Sequence, residues 1–180
     1  MGKATRDLRE EHEAILVVLR ILDTMMQTDR RKAGTLLPYY GEVVDFLTVF
    51  ADKCHHGKEE KYLFEELVSK GIQNEGGPIG EMLREHAQSR AYIAQMSRSL
   101  DDRDLNGFNT VAIPYRDLLR QHIEKENGVL FVMADDLIDE QAQNSLFERF
   151  EQHEETVIGH GVHEKLHARI HSWAEAFGVG

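Results

Sequence analysis

The chain has one cysteine, Cys54, so no disulfide can close within it, and only three prolines, Pro38, Pro78 and Pro114. A single thiol fits a reducing compartment, and scarce proline leaves room for long helices. No apolar run approaches the ~20 residues of a membrane-spanning helix. The N-terminal stretch MGKATRDLREEHE lacks the apolar centre of a secretory signal. A cytoplasmic protein is therefore expected. Positive charge is also in deficit, with 21 Lys and Arg against 32 Asp and Glu, a net charge of −11. That balance argues against nucleic acid as a partner, because phosphates need a basic patch. It argues equally against an anionic membrane surface.

Alternating apolar and polar residues are missing as well, so no sheet is indicated. The periodicity is helical nearly throughout, and the 180 residues suit one domain. Five helices are read: about 5–26, 36–70, 79–100, 113–137 and 140–177, the last interrupted by Gly159 and Gly161, while LDDRDLNG either loops or starts the fourth. Each proline falls near the start of a helical pattern. The expectation is an all-α fold: an up-down-up-down four-helix bundle over about 5–137, with an extra C-terminal helical segment over about 140–177.

Histidine, by contrast, is abundant, with ten residues. His12, His55, His86 and His122 each fall in phase with the apolar seam of one bundle helix. Glu59 and Glu126 follow His55 and His122 by one turn, on the same faces. The stretches CHHGKEEKYLF and HIEKENGVLF thus repeat one pattern, with Leu-Phe at the same offset in both. Glu60 and Glu124 are turned away. One His-x-x-x-Glu pair is usually a surface pair, but four inward phases on four helices are not explained that way. A buried carboxylate without a partner costs several kcal/mol, roughly. Two carboxylates and four imidazoles in one core call for metal. The set exceeds the needs of one tetrahedral zinc, and mixed N/O donors suit a pair of iron or manganese ions.

These residues resemble the hemerythrin-like, or HHE cation-binding, family. The elements are His12 in REEHEAI, His55-His56 and Glu59 in HHGKEEKYLF, His86 in REHAQ, and His122 and Glu126 in HIEKENGVLF. The resemblance spans about 5–136. It implies two non-haem iron ions in a four-helix bundle, bridged by Glu59, Glu126 and an oxo or hydroxo group. Oxygen-carrying members have a further histidine one turn along the third helix. Here that position is Arg90. His56 is the first substitute, since the hemerythrin domain of the animal F-box iron sensor uses the residue after its second-helix histidine. The alternative puts His56 about 100° round an α-helix from His55, outside the ligand set. The resemblance thus places the metal ligands at His12, His55, His56, Glu59, His86, His122 and Glu126.

His160, His163, His167 and His171 form a stripe beside Leu166, Ile170, Trp173 and Phe177. Either His163 or His167 reaches the metal, or the apolar stripe docks the helix and leaves the histidines solvated. The second reading is the simpler one. Three functions remain. The first is a module that binds or senses O2, peroxide, nitric oxide or iron. The second is a di-iron oxidoreductase of peroxidase or catalase type, or an iron donor for iron–sulfur cluster repair. The third, a plain structural bundle, is disfavoured by the buried charge. With no second domain expected in 180 residues, a signal would pass through a separate protein partner.

Overall fold

In α1 (Lys3–Gln27) the buried positions Leu8, His12, Ile15, Leu19 and Leu22 recur at helical spacing, so one stripe faces inward. The computed structural model describes residues 1–27 and 30–179; the side chains of 30–36, 163, 164 and 167 lie outside the described set. The second long helix begins at α2 (Arg30–Phe46) and passes into π-helical turns over Leu47–His56 and Glu59–Leu63. It ends as α3 (Phe64–Ser69). Gly71 adopts φ +95° just beyond, the left-handed conformation that stops a helix. The third helix, α4 (Pro78–Asp101), starts on Pro78, whose missing N–H costs nothing in the first turn. The fourth comprises α5 (Leu105–Lys125), a π-helical stretch Glu126–Leu130 and α6 (Phe131–Leu137).

Contacts between helices fix their directions. Thr5 meets Asp135 near one end of α1, and Asp23 meets Arg116 and Arg120 near the other, so the first and fourth helices run antiparallel. Tyr40 reaches the Met25 carbonyl while Lys58 reaches Glu11, which makes the first and second antiparallel. Asp52 pairs with Arg90 and Glu60 with His86, and Glu81 with Lys125 and Glu85 with His122. The third helix therefore opposes both the second and the fourth. The fold is an all-α four-helix bundle with two further C-terminal helices, and no strand occurs among the described residues. Among the described residues no helix is long and apolar enough to cross a membrane.

Two boundaries differ from the sequence reading. The second and fourth helices begin at Arg30 and Leu105, so Pro38 and Pro114 lie inside α2 and α5. Asp104 makes the earlier start of α5 possible by accepting the N–H groups of Asn106 and Gly107, and buried Phe108 and Ala112 anchor the added turns. The C-terminal segment is two helices, α7 (Glu140–Val157) and α8 (Val162–Phe177), separated where Gly159 and Gly161 take φ of +90° and +70°. Leu166, Ile170 and Trp173 bury the inner face of α8, and Trp173 donates its indole N–H to Glu42.

The interior holds two apolar clusters. One includes Ile15, Leu19, Phe50, Ala51, Ile93, Tyr115 and Leu119. The other includes Leu8, Leu63, Phe64, Met82, Leu130, Phe131 and Phe150. Along every bundle helix a polar residue falls between the two: His12 between Leu8 and Ile15, His55–Glu59 between Ala51 and Leu63, His86 between Met82 and Ile93, and His122–Glu126 between Leu119 and Leu130.

Candidate metal centre

This polar belt is sealed. His12, Glu59, His86 and Glu126 are fully inaccessible, and His55, His56 and His122 are 1% exposed. All seven residues picked out in the sequence thus converge on one place. The glutamates stand between the histidines. Glu59 turns Oε1 to His55 Nε2 at 3.5 Å and Oε2 to His86 Nε2 at 3.4 Å. Glu126 Oε2 lies 3.3 Å from His12 Nε2 and 3.2 Å from His122 Nε2. Each carboxylate therefore spans both halves of the centre.

Every histidine points Nε2 inward and is held at Nδ1 by an oxygen. His12 donates to the Asn127 side chain at 2.9 Å, His55 to Glu11 at 2.9 Å, and His86 and His122 to Glu60 and Glu85, both at 2.8 Å. His56 has Asp52 at 3.4 Å. A carboxylate accepts and does not donate, so the proton of the neutral ring sits on Nδ1 and the Nε2 lone pair faces the centre. That is the tautomer a metal-binding imidazole needs. The acceptors are fixed in turn by cations. Lys58 holds Glu11, Arg9 holds Asn127, Arg90 joins Asp52 to Glu60, and Lys125 holds Glu85. Arg90, where oxygen carriers have a histidine, thus braces His56 and His86 together.

His56 enters the centre because its helix is not an α-helix there. The i→i+5 bonding of the π turns winds more widely and narrows the angle between neighbouring residues below the ~100° of an α-helix. His55 and His56 both face inward as a result. Their ring centroids are 5.7 Å apart, and His56 stacks on His86 at 3.8 Å.

The charges are set by this packing. Burial, reinforced by His12, holds His55 well below its usual value, and burial next to His86 lowers His56 to about 3. Burial also lowers His86. For His122 burial works the same way, but Glu126 and Glu85 outweigh it and raise the imidazole to about 9. Burial and the charge of Glu126 push Glu59 well above the carboxylate range. Burial also opposes ionisation of Glu126, yet His122 and His12 prevail and keep it well below that range. Among the outer acceptors, hydrogen bonds from His86 and Arg90 overcome burial and bring Glu60 down to about 2.

Seven buried atoms in this belt have no hydrogen-bond partner: Nε2 of His12, His55 and His56, and both carboxylate oxygens of Glu59 and Glu126. Buried polar atoms are nearly always paired, and so many orphaned acceptors around one point fit cations. They form two sets. His56, Glu59, His86 and His122 offer ligand atoms within 4.8 Å of one another, as do His12, His55, Glu59 and Glu126. The sets share Glu59, and Glu126 also reaches His122, so the donors suit two adjacent metal ions joined by carboxylates.

Among the described C-terminal histidines, neither His160 nor His171 joins them. His160 is 95% exposed and pairs with Glu155 at 3.6 Å, and His171 is exposed. The side chains of His163 and His167 lie outside the described residues. Glu60 is turned from the centre and there holds His86. Glu124 is exposed, as expected. Helical phase overlooked Glu11, Lys58, Glu85 and Asn127, because their partners lie on other helices. Asp52 alone carried a local signal, standing four residues before His56.

A profile of the hemerythrin HHE cation-binding domain matches residues 3–134. No curated protein and no solved structure matches the chain.

Proposed function

The chain belongs to the hemerythrin HHE cation-binding domain family, and from that premise we propose that it is a non-haem di-iron protein that binds or senses a small oxygen-type ligand such as O2, peroxide or nitric oxide. The carrying observation is the pair of donor sets sharing Glu59, with Glu126 between His12 and His122. In this reading His56, His86 and His122 would hold one iron, His12 and His55 would hold the other, and Glu59 and Glu126 would serve both. Nitrogen-rich donors with carboxylates favour iron over magnesium or calcium, and seven side chains exceed what one zinc takes. Two adjacent irons supply reversible electron transfer to and from a bound oxygen species.

The protein residues do the rest. The five Nδ1 hydrogen bonds hold the imidazoles in the binding tautomer. The two apolar clusters keep water from the centre, which strengthens every electrostatic contact within it. The His12–His55 side offers two imidazoles against three on the other, so a metal there would have one fewer nitrogen donor and would be the one to take an added ligand. Phe131, stacked on His12 at 5.3 Å, gives that side an apolar wall suited to a small uncharged molecule.

Metal analysis with optical spectra of the air-exposed and reduced protein tests the proposal. Two irons per chain are expected, with charge-transfer bands that bleach on reduction and return with O2. A single zinc in protein produced with ample iron would sink it. Catalytic consumption of peroxide at a rate far above ligand binding would move the assignment to a di-iron oxidoreductase.

A further inference from the structure

Lys58 is 1% exposed, an uncommon state for a lysine. Its Nζ lies 2.8 Å from Glu11, 3.2 Å from Asp7 and 3.2 Å from Glu154. Asp7 and Glu11 belong to α1, and Glu154 to α7, which lies wholly beyond the stretch matched by the family. Glu11 uses its second oxygen to accept the Nδ1–H of His55. A continuous chain of contacts therefore runs from α7 through Lys58 and Glu11 to an imidazole of the metal centre. The neighbouring residue of α7 docks as well. His153 donates Nε2–H to the Lys53 carbonyl at 3.0 Å, within the π-helical turns that carry His55 and His56. Only a glycine permits that approach, because a Cβ on Gly57 would stand 2.7 Å from His153 Nε2. The Phe150 ring, a turn earlier on α7, lies 5.7 Å from Lys58 Nζ and closes the pocket on its apolar side.

We propose that Glu154 and Lys58 are positioning residues for His55, so that the C-terminal helix α7 tunes one of the two metal positions. Lys58 keeps the Glu11 carboxylate in a single rotamer, and Glu154 gives Lys58 its third contact. Loosening either lets the Glu11 carboxylate turn from His55, whose ring then loses its fixed tautomer. At the other metal position the Nδ1 acceptors are braced by Arg90 and Lys125 instead of through Glu154, so the loss of Nδ1 bracing is one-sided.

The inference rests on the di-metal reading above, and cobalt(II) titration of the chelator-stripped full chain separates the two. Ligand-field bands report the geometry of each equivalent. Wild type should take up two equivalents. Glu154→Ala should weaken one of them about tenfold, the lower end for residues that orient a ligand, with altered bands for that equivalent alone. Lys58→Met should do so more strongly. Glu154→Gln, which still accepts from lysine, should recover part of the loss, and Glu151→Ala, exposed on the same helix, should match wild type. Wild-type affinities and bands in Glu154→Ala overturn the proposal. So does equal weakening of both equivalents in step with lost helicity, which would mean plain scaffolding. Fewer than two equivalents in wild type sinks the two-metal reading itself, and this proposal with it.

Discussion

His86 and His122 meet Nε2 to Nε2 at 3.1 Å while each gives its Nδ1 proton outward to a glutamate. Two lone pairs at that distance repel unless a cation lies with them, and the choice is a proton or a metal ion. In the metal-free chain the proton falls to His122, whose imidazole is raised to about 9 by Glu126 and Glu85 against the effect of burial.

The stability of the metal-free protein should therefore fall as pH rises above neutrality. His122 is raised from 6.5 to about 9, so its contribution is complete below 6.5 and lost through about 9. Glu59 acts in the same direction, because the folded chain keeps a proton that the unfolded chain has already released. Melting followed by helical circular dichroism should show the midpoint of chelator-stripped protein dropping by several degrees between pH 6.5 and 9. Iron should raise the midpoint at both pH values, since a ligand of the folded form alone stabilises it. A stripped protein whose midpoint is flat or climbs over that range would contradict the assigned protons.

Carboxylates near the belt should rank by what they touch. Glu59→Ala and Glu126→Ala remove a bridge between the two halves and should cost most of the bound iron. Glu60→Ala leaves the donors in place but frees His86, and a loss of about tenfold in affinity is expected. Glu124→Ala should bind as wild type does. Equal losses across the four would mean that the helical phase of the belt is misassigned.

Replacing His56 with alanine should lower the iron content from two per chain toward one. His160→Ala should change nothing, since His160 is 95% exposed. Full stoichiometry in His56→Ala would return His56 to a packing role.

Arg90→Ala should weaken the three-histidine position about tenfold while barely moving the melting temperature, because Arg90 is 41% exposed. Arg90→Lys should recover only part of the affinity. Lysine lacks the rigid fork that reaches Asp52 and Glu60 together. Metal titration beside thermal melting checks both halves, and a large drop in stability with unchanged affinity would refute the assignment.

Helical phase made His12, His55, His86, His122 and the two glutamates legible, because inward direction along a helix depends only on spacing. It could not decide His56, since that residue's direction depends on π winding, which no residue spacing announced. Nor could it find Glu11 beside His55 or Lys58 beneath Glu154, because those pairs are made by packing between helices 44 and 96 residues apart in sequence. Composition and turn glycines located the break at Gly159 and Gly161. The start of α5 stayed open in the sequence, because the polar stretch LDDRDLNG reads either as a loop or as a helix start and its one signal is a capping aspartate.

The belt divides the described apolar interior into two clusters, joined by the helices that cross it. Stripped of metal, the two ends of the bundle should open with less coupling than with it. The end carrying Phe50, Tyr115 and Trp173 has the larger cluster and should keep its amide protection longer under hydrogen exchange. Ions held by all four helices at the midline fuse the two ends, so exchange across the boundary should become a single slow event. Metal occupancy would then be readable in the kinetics of backbone amides far from any ligand.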